Sequence, residues 1–293
     1  MIMKIYNLGS KNIDYVYGVD HFLTAGETLS SNGMNVFPGG KGLNQSVALA
    51  RAGVKVIHGG VIGDKGELLL DTLSDAGADT SRIQKQSGPC GHTIIQIDKN
   101  GQNCIMLFQG TNHCIDEAYI KSFLADAQKN DVLLLQNEIS CLDVAFEIAH
   151  QKEMQIVFNP SPYHESIKNL PLSYVKWWFC NEIEGKALFD SSQPEKIAQN
   201  FVKLYPDSNL ILTLGQEGSV FVNAQTYLKQ PIYKVPVVDT TAAGDTFTGY
   251  FMASVTAGKN VAVALDVAAK AAAITVTRSG ASSSIPVASE VIL

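Results

Sequence analysis

The 293-residue sequence predicts an α/β fold: a three-layer domain with a central, mostly parallel sheet flanked by helices, plus a small β-sheet lid. Three observations support this prediction. Short β-branched or leucine-rich runs alternate with longer amphipathic segments, as in strand–helix–strand units. Polar residues gather after the strand-like runs, where the ends of parallel strands form a binding cleft. Two further segments break the alternation and have the pattern of additional strands.

The alternation can be followed along the chain. The strand-like runs are "MKIYNLG", "VKVIHGGVIG", "DVLLLQNE", "QIVFNPSP", "VKWWFCNE" and "NLILTLG". The helix-like segments are "KGLNQSVALARAG", "GELLLDTLSDAG", "DEAYIKSFLADAQ", "LDVAFEIAHQKE" and "PEKIAQNFVKLY". A strand that returns through a helix to a second strand gives a parallel pair, so this order predicts helices on both faces of a parallel sheet. Trp177 and Trp178 are predicted to fill its core.

Six polar stretches are predicted to follow strands and to line one cleft: "GSKNID", "QNE", "NPSP", "CNEIE", "TLGQEG" and "DTTAAGD". In an open parallel sheet, ligands bind outside the carboxyl ends of the strands. A single polar strand end would mean little, because loops are usually polar. Six of them in the same relative position indicate a binding cleft.

Residues 12–37 and the segment "GHTIIQIDKNGQNCIMLF" break the alternation. The second segment is two alternating runs around Asn100-Gly101, a dipeptide that suits a tight hairpin turn. We interpret both segments as strands of one small lid sheet; the alternative places them on an edge of the main sheet. The main domain then comprises residues 1–11, 38–88 and 111–293, and the lid comprises 12–37 and 89–110. The edges and apolar face of such a lid predict a homodimer formed through it.

Composition argues against several classes of protein. The sequence has no signal-peptide pattern and no uncharged apolar run of about 18 residues, so we expect a cytoplasmic protein with no membrane partner. Its five cysteines are scattered and form no C-x-x-C pair, which indicates reduced thiols and no structural zinc. Its six histidines lack metal-ligand spacing. A formal charge of −6 without basic clusters argues against nucleic acid as a partner.

The stretch "VDTTAAGDTFTGYF" sets Asp245 at the start of a helix-like run, behind small residues. If the helix begins near Ala242, the amides of Ala242, Ala243, Gly244 and Asp245 lack intrahelical partners and carry the positive end of the helix dipole. Such a helix start binds anions. Asp245 would then lie close enough to accept a proton from an attacking hydroxyl. The plainer alternative is that Asp245 only caps the helix.

The stretch "PGGKGLNQSVALARAG" is a glycine-rich turn that opens a helix. Gly39, Gly40 and Gly42 permit positive φ and close approach to a ligand, and Lys41 and Asn44 supply hydrogen-bond donors. The stretch is not a P-loop, because "GKG" replaces the required GK[ST]. Nor does "GGVIGDKG" fit the dinucleotide-binding pattern. By itself the glycine-rich turn could also open a helix without binding a ligand.

Gly39-Gly40 with Asn44, and Asp239-Thr240-x-Ala242-x-Gly244-Asp245, resemble the two signatures of the ribokinase-like (PfkB) carbohydrate kinases. The resemblance covers the whole chain in order. "NLGSKNID" is similar to the family's sugar-binding start, "NEIE" to its metal motif, "TLGQEG" to its nucleotide loop and "TRSGASSSIP" to its C-terminal cation-binding segment.

This resemblance implies an ATP-dependent kinase that phosphorylates a primary hydroxyl of a sugar, with D-ribose giving ribose 5-phosphate as the first expectation. The alternatives within the same chemistry are 2-deoxyribose, a fructose-type ketose or a purine nucleoside, because a methylene or hydroxyl changes pocket preference without changing a motif. A non-catalytic sugar-binding relative and a plain α/β domain with another ligand are the alternatives outside it.

The resemblance also implies site residues. Asp245 is the expected catalytic base, with the amides of Ala242, Ala243 and Gly244 around the transferred group. The expected sugar ligands are Asn12, Asp14, Gly39, Gly40, Lys41, Gly42, Asn44, Glu138 and Asp245. The expected ATP-binding residues are Asn181, Thr213, Leu214, Gly215, Gln216, Glu217, Gly218, Gly244 and Ala269.

Two cations are implied as well. Mg²⁺ is expected at Asn181 and Glu184 through water, since the three-residue spacing puts both on one helix face and magnesium keeps most of its waters. K⁺ is expected within Asp239, Thr241, Thr275, Arg278, Gly280 and Ser284, several of them through backbone carbonyls. Two departures from the family, Ala269 and "TAGET", bear on adenine contacts and on the path of the lid. Each of these motifs could also be an ordinary cap or turn.

Overall fold

A computed structural model describes residues 3–292. Its strands are β1 (Ile5–Leu8), β2 (Asn12–Gly18), β3 (Gly33–Gly39), β4 (Val56–Asp64), β5 (Ile83–Pro89), β6 (Gly91–Ile97), β7 (Asn103–Phe108), β8 (Val132–Gln136), β9 (Gln155–Asn159), β10 (Val175–Asn181), β11 (Asn209–Thr213), β12 (Ser219–Val222) and β13 (Tyr227–Gln230). Its helices are α1 (Lys41–Arg51), α2 (Glu67–Asp75), α3 (Glu117–Phe123), α4 (Leu142–Gln151), α5 (Glu182–Phe189), α6 (Pro194–Leu204), α7 (Ala243–Thr256) and α8 (Val261–Val276). Short 3₁₀ segments, such as Gly110–Cys114, connect some of them.

The large sheet has nine strands in the order β13-β12-β11-β10-β9-β8-β1-β4-β5. The strands from β11 to β5 pair in parallel, and β12 and β13 add an antiparallel edge. The predicted mostly parallel sheet is therefore confirmed. Sequence patterning had not marked β5, β12 or β13 as strands; "IQKQSGP" in β5 and the two short edge strands lack a long apolar run.

Two hydrophobic cores lie on opposite faces of the large sheet. One packs α3, α4, α5 and α6 against it, and the other packs α1, α2, α7 and α8. Successive side chains of a strand point to opposite faces. Trp178 accordingly belongs to the first core and its neighbour Trp177 to the second, as their predicted core role requires.

The lid is a separate four-stranded sheet in the order β3-β2-β6-β7. Strand β2 pairs antiparallel with β3 and parallel with β6, and β6 forms the predicted hairpin with β7. The two segments therefore form one sheet of their own rather than an edge of the main sheet. The proposed limits of the lid stay a prediction, and β3 continues past the limit at residue 37 to Gly39.

The five stretches predicted after β1, β8, β9, β10 and β11 do follow those strands. The sixth prediction was wrong, because "DTTAAGD" follows residues 231–238, which contain no strand. This segment instead reaches α7 along the C-terminal end of α8, where the amides of Val238 and Asp239 donate to the carbonyl of Val276. Among residues 3–292, no helix has both the length and the apolar character needed to cross a membrane.

Candidate active site

Asp245 lies in the first turn of α7 and is 8% exposed. Its side chain does not cap the helix. Its Oδ2 instead accepts a hydrogen bond from Asn44 Nδ2 at 3.0 Å, and its Oδ1 accepts one from Gln45 Nε2 at 2.9 Å. Both donors come from the first turns of α1, 201 and 200 residues earlier in the chain. The fold therefore brings the two signature stretches into direct contact.

The start of α7 has no side-chain cap, and its N-cap residue, Ala242, has the left-handed φ of 61°. The amide of Ala243 donates to the carbonyl of Thr240 at 3.3 Å, so this predicted anion donor already has a partner. Gly244 is exposed, and a Cβ built on it would meet no atom within 4 Å. The open end of the helix is thus the amide side of Gly244 and Asp245, where the dipole favours negative charge.

The glycines of the turn before α1 permit close packing of the chain itself. A Cβ on Gly39 would lie 1.9 Å from Asp14 Oδ2, and one on Gly42 would lie 2.5 Å from the backbone of Gly9. Gly40 has a φ of 93° and lies against the backbone of Ser10. In the structure these glycines hold residues 9–14 against α1, and their close approach to a ligand stays a prediction. The predicted sugar ligands of both stretches therefore lie side by side.

Glu138 is a buried carboxylate just beyond β8. Its Oε2 accepts hydrogen bonds from the Ser10 hydroxyl and, at 3.1 Å, from the Lys41 amide. Burial raises the pKa of Glu138 above its ordinary value, although the charge of Lys41 and the bond from Ser10 act in the opposite direction. Two fixed donors on one oxygen set the direction of this carboxylate at the mouth of the glycine turn.

The charges of three carboxylates act on the Lys41 side chain. Burial would lower its pKa, but the charges of Asp245, Glu138 and Glu184 outweigh burial and raise it above the ordinary value. Lys41 therefore stays positively charged. It is the cation shared by the acceptor residues and by Glu184 of the "NEIE" motif.

Asp14 and Asn12 stand at the inner end of β2. Asp14 Oδ1 accepts from the Thr93 hydroxyl at 2.6 Å, and burial raises the pKa of Asp14 to about 6. Asn12 Oδ1 accepts from Asn112 Nδ2 at 2.7 Å. Asn112 Oδ1 also accepts a hydrogen bond from the Lys11 amide at 3.0 Å. The buried side-chain amide of Asn112 therefore holds both Lys11 and Asn12.

A buried lysine lies directly beneath this strand end. Lys11 is 2% exposed, and its Nζ donates to the carbonyl of Gly9 at 3.2 Å. No carboxylate of residues 3–292 forms an ion pair with it. Burial lowers the pKa of Lys11 to about 7. Burial and the nearby Lys11 likewise hold the pKa of His58 well below its ordinary value, which keeps that imidazole neutral.

Sequence patterning missed four residues that support the acceptor side: Ser10, Gln45, Thr93 and Asn112. Ser10 and Gln45 adjoin predicted site residues, and this adjacency was the available signal. Thr93 and Asn112 are brought in by pairing of distant segments. Nothing local in "GHT" or "TNHC" marks either residue as part of a site.

The "TLGQEG" stretch forms the turn between β11 and β12, beginning at Thr213. Leu214 is buried in a hydrophobic core, so only its backbone is available to a ligand. Residues Gly215, Gln216 and Glu217 are exposed. Gly218 has a φ of 92°, and a Cβ there would lie 2.1 Å from the carbonyl of Gln230. A side chain at Gly218 would therefore clash with the neighbouring strand. In the exposed part of the turn, the amide of Glu217 and the carbonyl of Gly215 already have backbone partners.

Asn181 and Glu184 form a capping box at the start of α5. Asn181 Oδ1 accepts from the amide of Glu184 at 2.9 Å, and the Glu184 carboxylate accepts from the amide and side chain of Asn181 at 2.8 and 3.0 Å. Glu184 is buried rather than on the surface. Each carboxylate oxygen keeps a free lone pair, so this pair fits Mg²⁺ held through water better than direct ligation.

The residues expected around K⁺ join two loops. Asp239 Oδ1 accepts from Thr241, and its Oδ2 accepts from the amide of Gly280 at 3.1 Å. Burial would raise the pKa of Asp239, but these hydrogen bonds outweigh it and lower the pKa. Arg278 pairs with Glu290, so it could offer an ion only its carbonyl.

Thr275 and Ser284 are both buried, and their hydroxyls donate to protein oxygens. The group fits a cation bound through backbone carbonyls and hydroxyl oxygens. Ala269 lies apart from it, on a half-buried face of α8 that packs against the second core.

The fold and this site define an α/β protein in which two buried carboxylates, one of them at a helix start, bond to the beginning of α1. Comparison with known proteins identifies its family. The model of the pfkB family carbohydrate kinases matches residues 3–288. The chain belongs to this family of carbohydrate kinases.

Particular relatives make the likeness more specific. The chain is 35% identical to the ribokinase of Haemophilus influenzae over 295 residues, which cover 97% of this chain and 95% of that protein. Ribokinase from Cryptococcus neoformans var. grubii in complex with ADP superimposes with a TM-score of 0.86 at 31% identity, covering 99% of this chain and 98% of that chain. Arabidopsis thaliana ribokinase, complexed with ribose and ATP, gives a TM-score of 0.89 at 26% identity, with the same coverage of both chains.

Proposed function

We propose that this protein transfers the γ-phosphoryl group of ATP to the primary 5-hydroxyl of D-ribose. The observation that carries this proposal is the Asp245 carboxylate, buried at the uncapped start of α7 and held by two donors from the glycine-turn helix. A base beside a helix start can accept a hydroxyl proton while the adjacent amides face an anion. The relatives named above, ribokinases with bound ADP or with ribose and ATP, support the same substrates.

Each part of the site has a separate task in this reaction. Asn12, Asp14, Asn44 and Glu138 bind the sugar hydroxyls and point the acceptor oxygen at the phosphoryl group. Asp245 takes the hydroxyl proton as the bond to phosphorus forms. The amides of Gly244 and Asp245, together with Lys41, stabilise negative charge on the transferred group. The lid excludes water, which would otherwise compete as the acceptor.

The nucleotide is proposed to lie along the backbone of residues 213–218, near Asn181 and Glu184. Mg²⁺ would be held through water by these last two residues, and when bound it neutralises phosphate charge. Removing divalent cations with a chelator should abolish turnover, and adding Mg²⁺ should restore it. Unchanged turnover in chelator would exclude this role.

We further propose that K⁺ binds between the loop of Asp239 and Thr241 and the loop of residues 275–284. Such an ion would not touch the substrate. It would stiffen the loop that leads into α7, because Asp239 already ties the two loops together. The expected result is higher kcat in K⁺ than in a large organic cation at equal ionic strength. Equal rates in both salts would contradict it.

A coupled ADP-release assay across D-ribose, 2-deoxyribose, fructose and purine nucleosides tests the acceptor. D-Ribose should give the highest kcat/KM, and the reaction without an acceptor should give only a slow background. A higher kcat/KM for another acceptor would reassign the substrate within the family's chemistry. No acceptor-dependent ADP release with any of them would favour a non-catalytic sugar-binding protein.

The lid is proposed to form a homodimer interface. Its two edge strands expose apolar side chains, among them Met34, Val36, Ile105, Met106 and Phe108. Unpaired strand edges with exposed apolar residues favour association. Light scattering should give a dimer mass, and Met106→Lys should shift it toward the monomer.

We also propose a cytoplasmic location, since the five cysteines are free; cell fractionation tests it.

A further inference from the structure

A chain of polar side chains crosses the core beneath the acceptor pocket. Its members are fully buried: Asn7 on β1, Gln45 and Ser46 on α1, His58 on β4 and Gln136 on β8. Polar groups this deep destabilise a protein unless they are hydrogen-bonded. The proposed reaction uses none of them directly. Among residues 3–292, the bond from Gln45 to Asp245 is the one hydrogen bond that joins a side chain of this group to a side chain outside it.

The hydrogen bonds of this chain run in sequence. Gln136 Nε2 donates to Gln45 Oε1 at 2.7 Å and to Asn7 Oδ1 at 3.1 Å. Asn7 Nδ2 donates to Ser46 Oγ at 2.8 Å, and Ser46 Oγ lies 2.7 Å from His58 Nδ1. Four elements of the fold are thereby joined to the carboxylate at the start of α7.

One backbone carbonyl determines which end of each side-chain amide donates and which accepts. Asn7 Nδ2 also donates to the backbone carbonyl of Gly42 at 2.8 Å, and a carbonyl can only accept. The oxygen of Asn7 must therefore face Gln136, whose nitrogen then faces the oxygen of Gln45. Only the nitrogen end of Gln45 is left for Asp245.

We infer that Gln45 is a positioning residue for the base: it holds Oδ1 of Asp245 and leaves Oδ2 to receive the acceptor proton. This inference rests on the proposed kinase function. Among the described residues, Oδ2 accepts a side-chain hydrogen bond from Asn44 alone, and Asn44 is itself a proposed sugar ligand. When the sugar binds, Asn44 can exchange its bond to Oδ2 for one to a sugar hydroxyl, while Gln45 stays in place.

The proton balance of the step is then as follows. The acceptor O–H bond breaks and an O–H bond forms at Oδ2 of Asp245. The acceptor oxygen bonds to the γ-phosphorus, and the bond from that phosphorus to the bridging oxygen breaks, with its electron pair leaving on ADP. Gln45 donates to Oδ1 throughout and gains or loses no proton.

The test is Gln45→Leu, which removes the donor at similar volume. We expect kcat to fall about 10- to 100-fold, with KM for ribose and ATP within about threefold, because the change acts on the base and not on substrate contacts. The acid limb of the kcat–pH profile should also move to higher pH, since the ionised carboxylate has lost a donor. A purely structural role would lower stability and leave the acid limb unmoved.

Asn209→Leu is the matched control. Asn209 is also a buried amide, 8% exposed, but it begins β11, three strands away from β8, and bonds to Asn223 and the carbonyl of Lys176. It should lower the melting temperature without moving the acid limb. Gln45→Asn, which keeps the amide but shortens it, should recover part of kcat and return the limb toward its original position.

If Gln45→Leu does not fold, Gln136→Leu decides the matter. It removes the group that orients Gln45 and leaves Asp245 and its donors in place, so a smaller loss of kcat and the same direction of pH shift are expected. Unchanged kcat and an unmoved acid limb in a folded Gln45→Leu or Gln136→Leu would overturn the inference. Near-normal turnover of Asp245→Asn would instead overturn the proposed function, so the two failures are distinguishable.

Discussion

The proposed acceptor side of the site and its proposed nucleotide side are built differently. On the acceptor side, Asp14, Glu138 and Asp245 each accept a hydrogen bond from another side chain of the protein. On the nucleotide side, Gly215–Glu217 is an exposed turn that offers mainly backbone groups. A polar pocket with fixed side chains can distinguish sugars, because the wrong sugar leaves polar groups without hydrogen-bond partners. A turn can bind a phosphate chain through its backbone amides, with no need for particular side chains.

The largest expected effect is that of Asp245→Asn, at the meeting point of the two sides. A general base contributes about 10²- to 10⁴-fold in rate, and kcat should fall by that factor. The new amide also turns an N–H toward Asn44 or Gln45, so one of the two bonds is lost. Calorimetry should show that ATP still binds. Asp71→Asn, on the exposed face of α2, is the control and should leave kcat unchanged.

Lys11→Met should give the next largest effect, on stability. Burial lowers the pKa of Lys11 from 10.5 in the unfolded chain to about 7 in the folded protein. The free-energy cost of burying the charged amine is therefore fully present below pH 7 and is lost above pH 10.5. Removing it should raise the free energy of unfolding at pH 7 by roughly 3–5 kcal/mol, with a gain that shrinks as pH rises. Urea unfolding at pH 7 and pH 9.5 measures this.

Lys55→Met is the control for that experiment, because Lys55 is exposed. It should change stability little, and equally, at both pH values. A gain in stability from Lys11→Met that is the same at pH 7 and pH 9.5 would show that it comes from improved packing and not from removal of a buried charge.

The third effect is on sugar affinity. Burial raises the pKa of Asp14 to about 6, and the ionised form is the one that accepts hydrogen bonds from two hydroxyl groups. KM for ribose should therefore be constant above pH 6 and rise about tenfold for each unit below it, while KM for ATP changes much less. Steady-state kinetics from pH 5 to 8 measures both constants.

Asp14→Asn is the companion variant to that pH series. It keeps the size of the side chain and removes its charge. Its KM for ribose should be higher at neutral pH, about 10-fold or more, and the steep dependence below pH 6 should largely disappear. A variant that keeps the full dependence would assign it to another group, of which Glu138, with its raised pKa, is the first candidate.

The smallest effect is expected on the nucleotide side. Gln216→Ala removes an exposed side chain, and KM for ATP should change by about twofold or less, the range of ordinary surface substitutions. Gly215→Ala should raise KM for ATP more, because its φ of 51° costs an alanine roughly 1–2 kcal/mol. A large effect of Gln216→Ala with none of Gly215→Ala would mean that side chains, not backbone, bind the nucleotide.

The difference between the two sides also explains what could be predicted from sequence. The helix starts at Lys41 and Ala243, five of the six predicted strand ends and the hairpin at Asn100-Gly101 all follow from local residue patterns, and the structure has them. The family signatures then located Asn44 and Asp245. Local chemistry was sufficient there because glycines, helix starts and turns are decided within a few residues.

What sequence did not reveal depends on distant segments. The bond from Gln45 to Asp245 spans 200 residues, and the one from Asn112 to Asn12 spans 100. No periodicity shows which buried amide meets which carboxylate. The buried state of Lys11 was missed for the same reason, since a lysine after a strand usually reaches solvent. Asp245 was located by its motif, but its two donors appeared only once α1 and α7 were packed together.

The pairing of Asn12 with both Gly39 and Gly91 has an evolutionary consequence. The chain enters the lid at Asn12, returns to the main domain at Gly39 and enters the lid again at Gly91, and these three residues are neighbours in one row across the lid sheet. Whatever lies beyond that row can be lengthened, shortened or exchanged without breaking a strand of the nine-stranded sheet. Related proteins could therefore differ in the size of the lid and in how two chains associate, while the nine-stranded sheet and the residues that transfer the phosphoryl group stay the same.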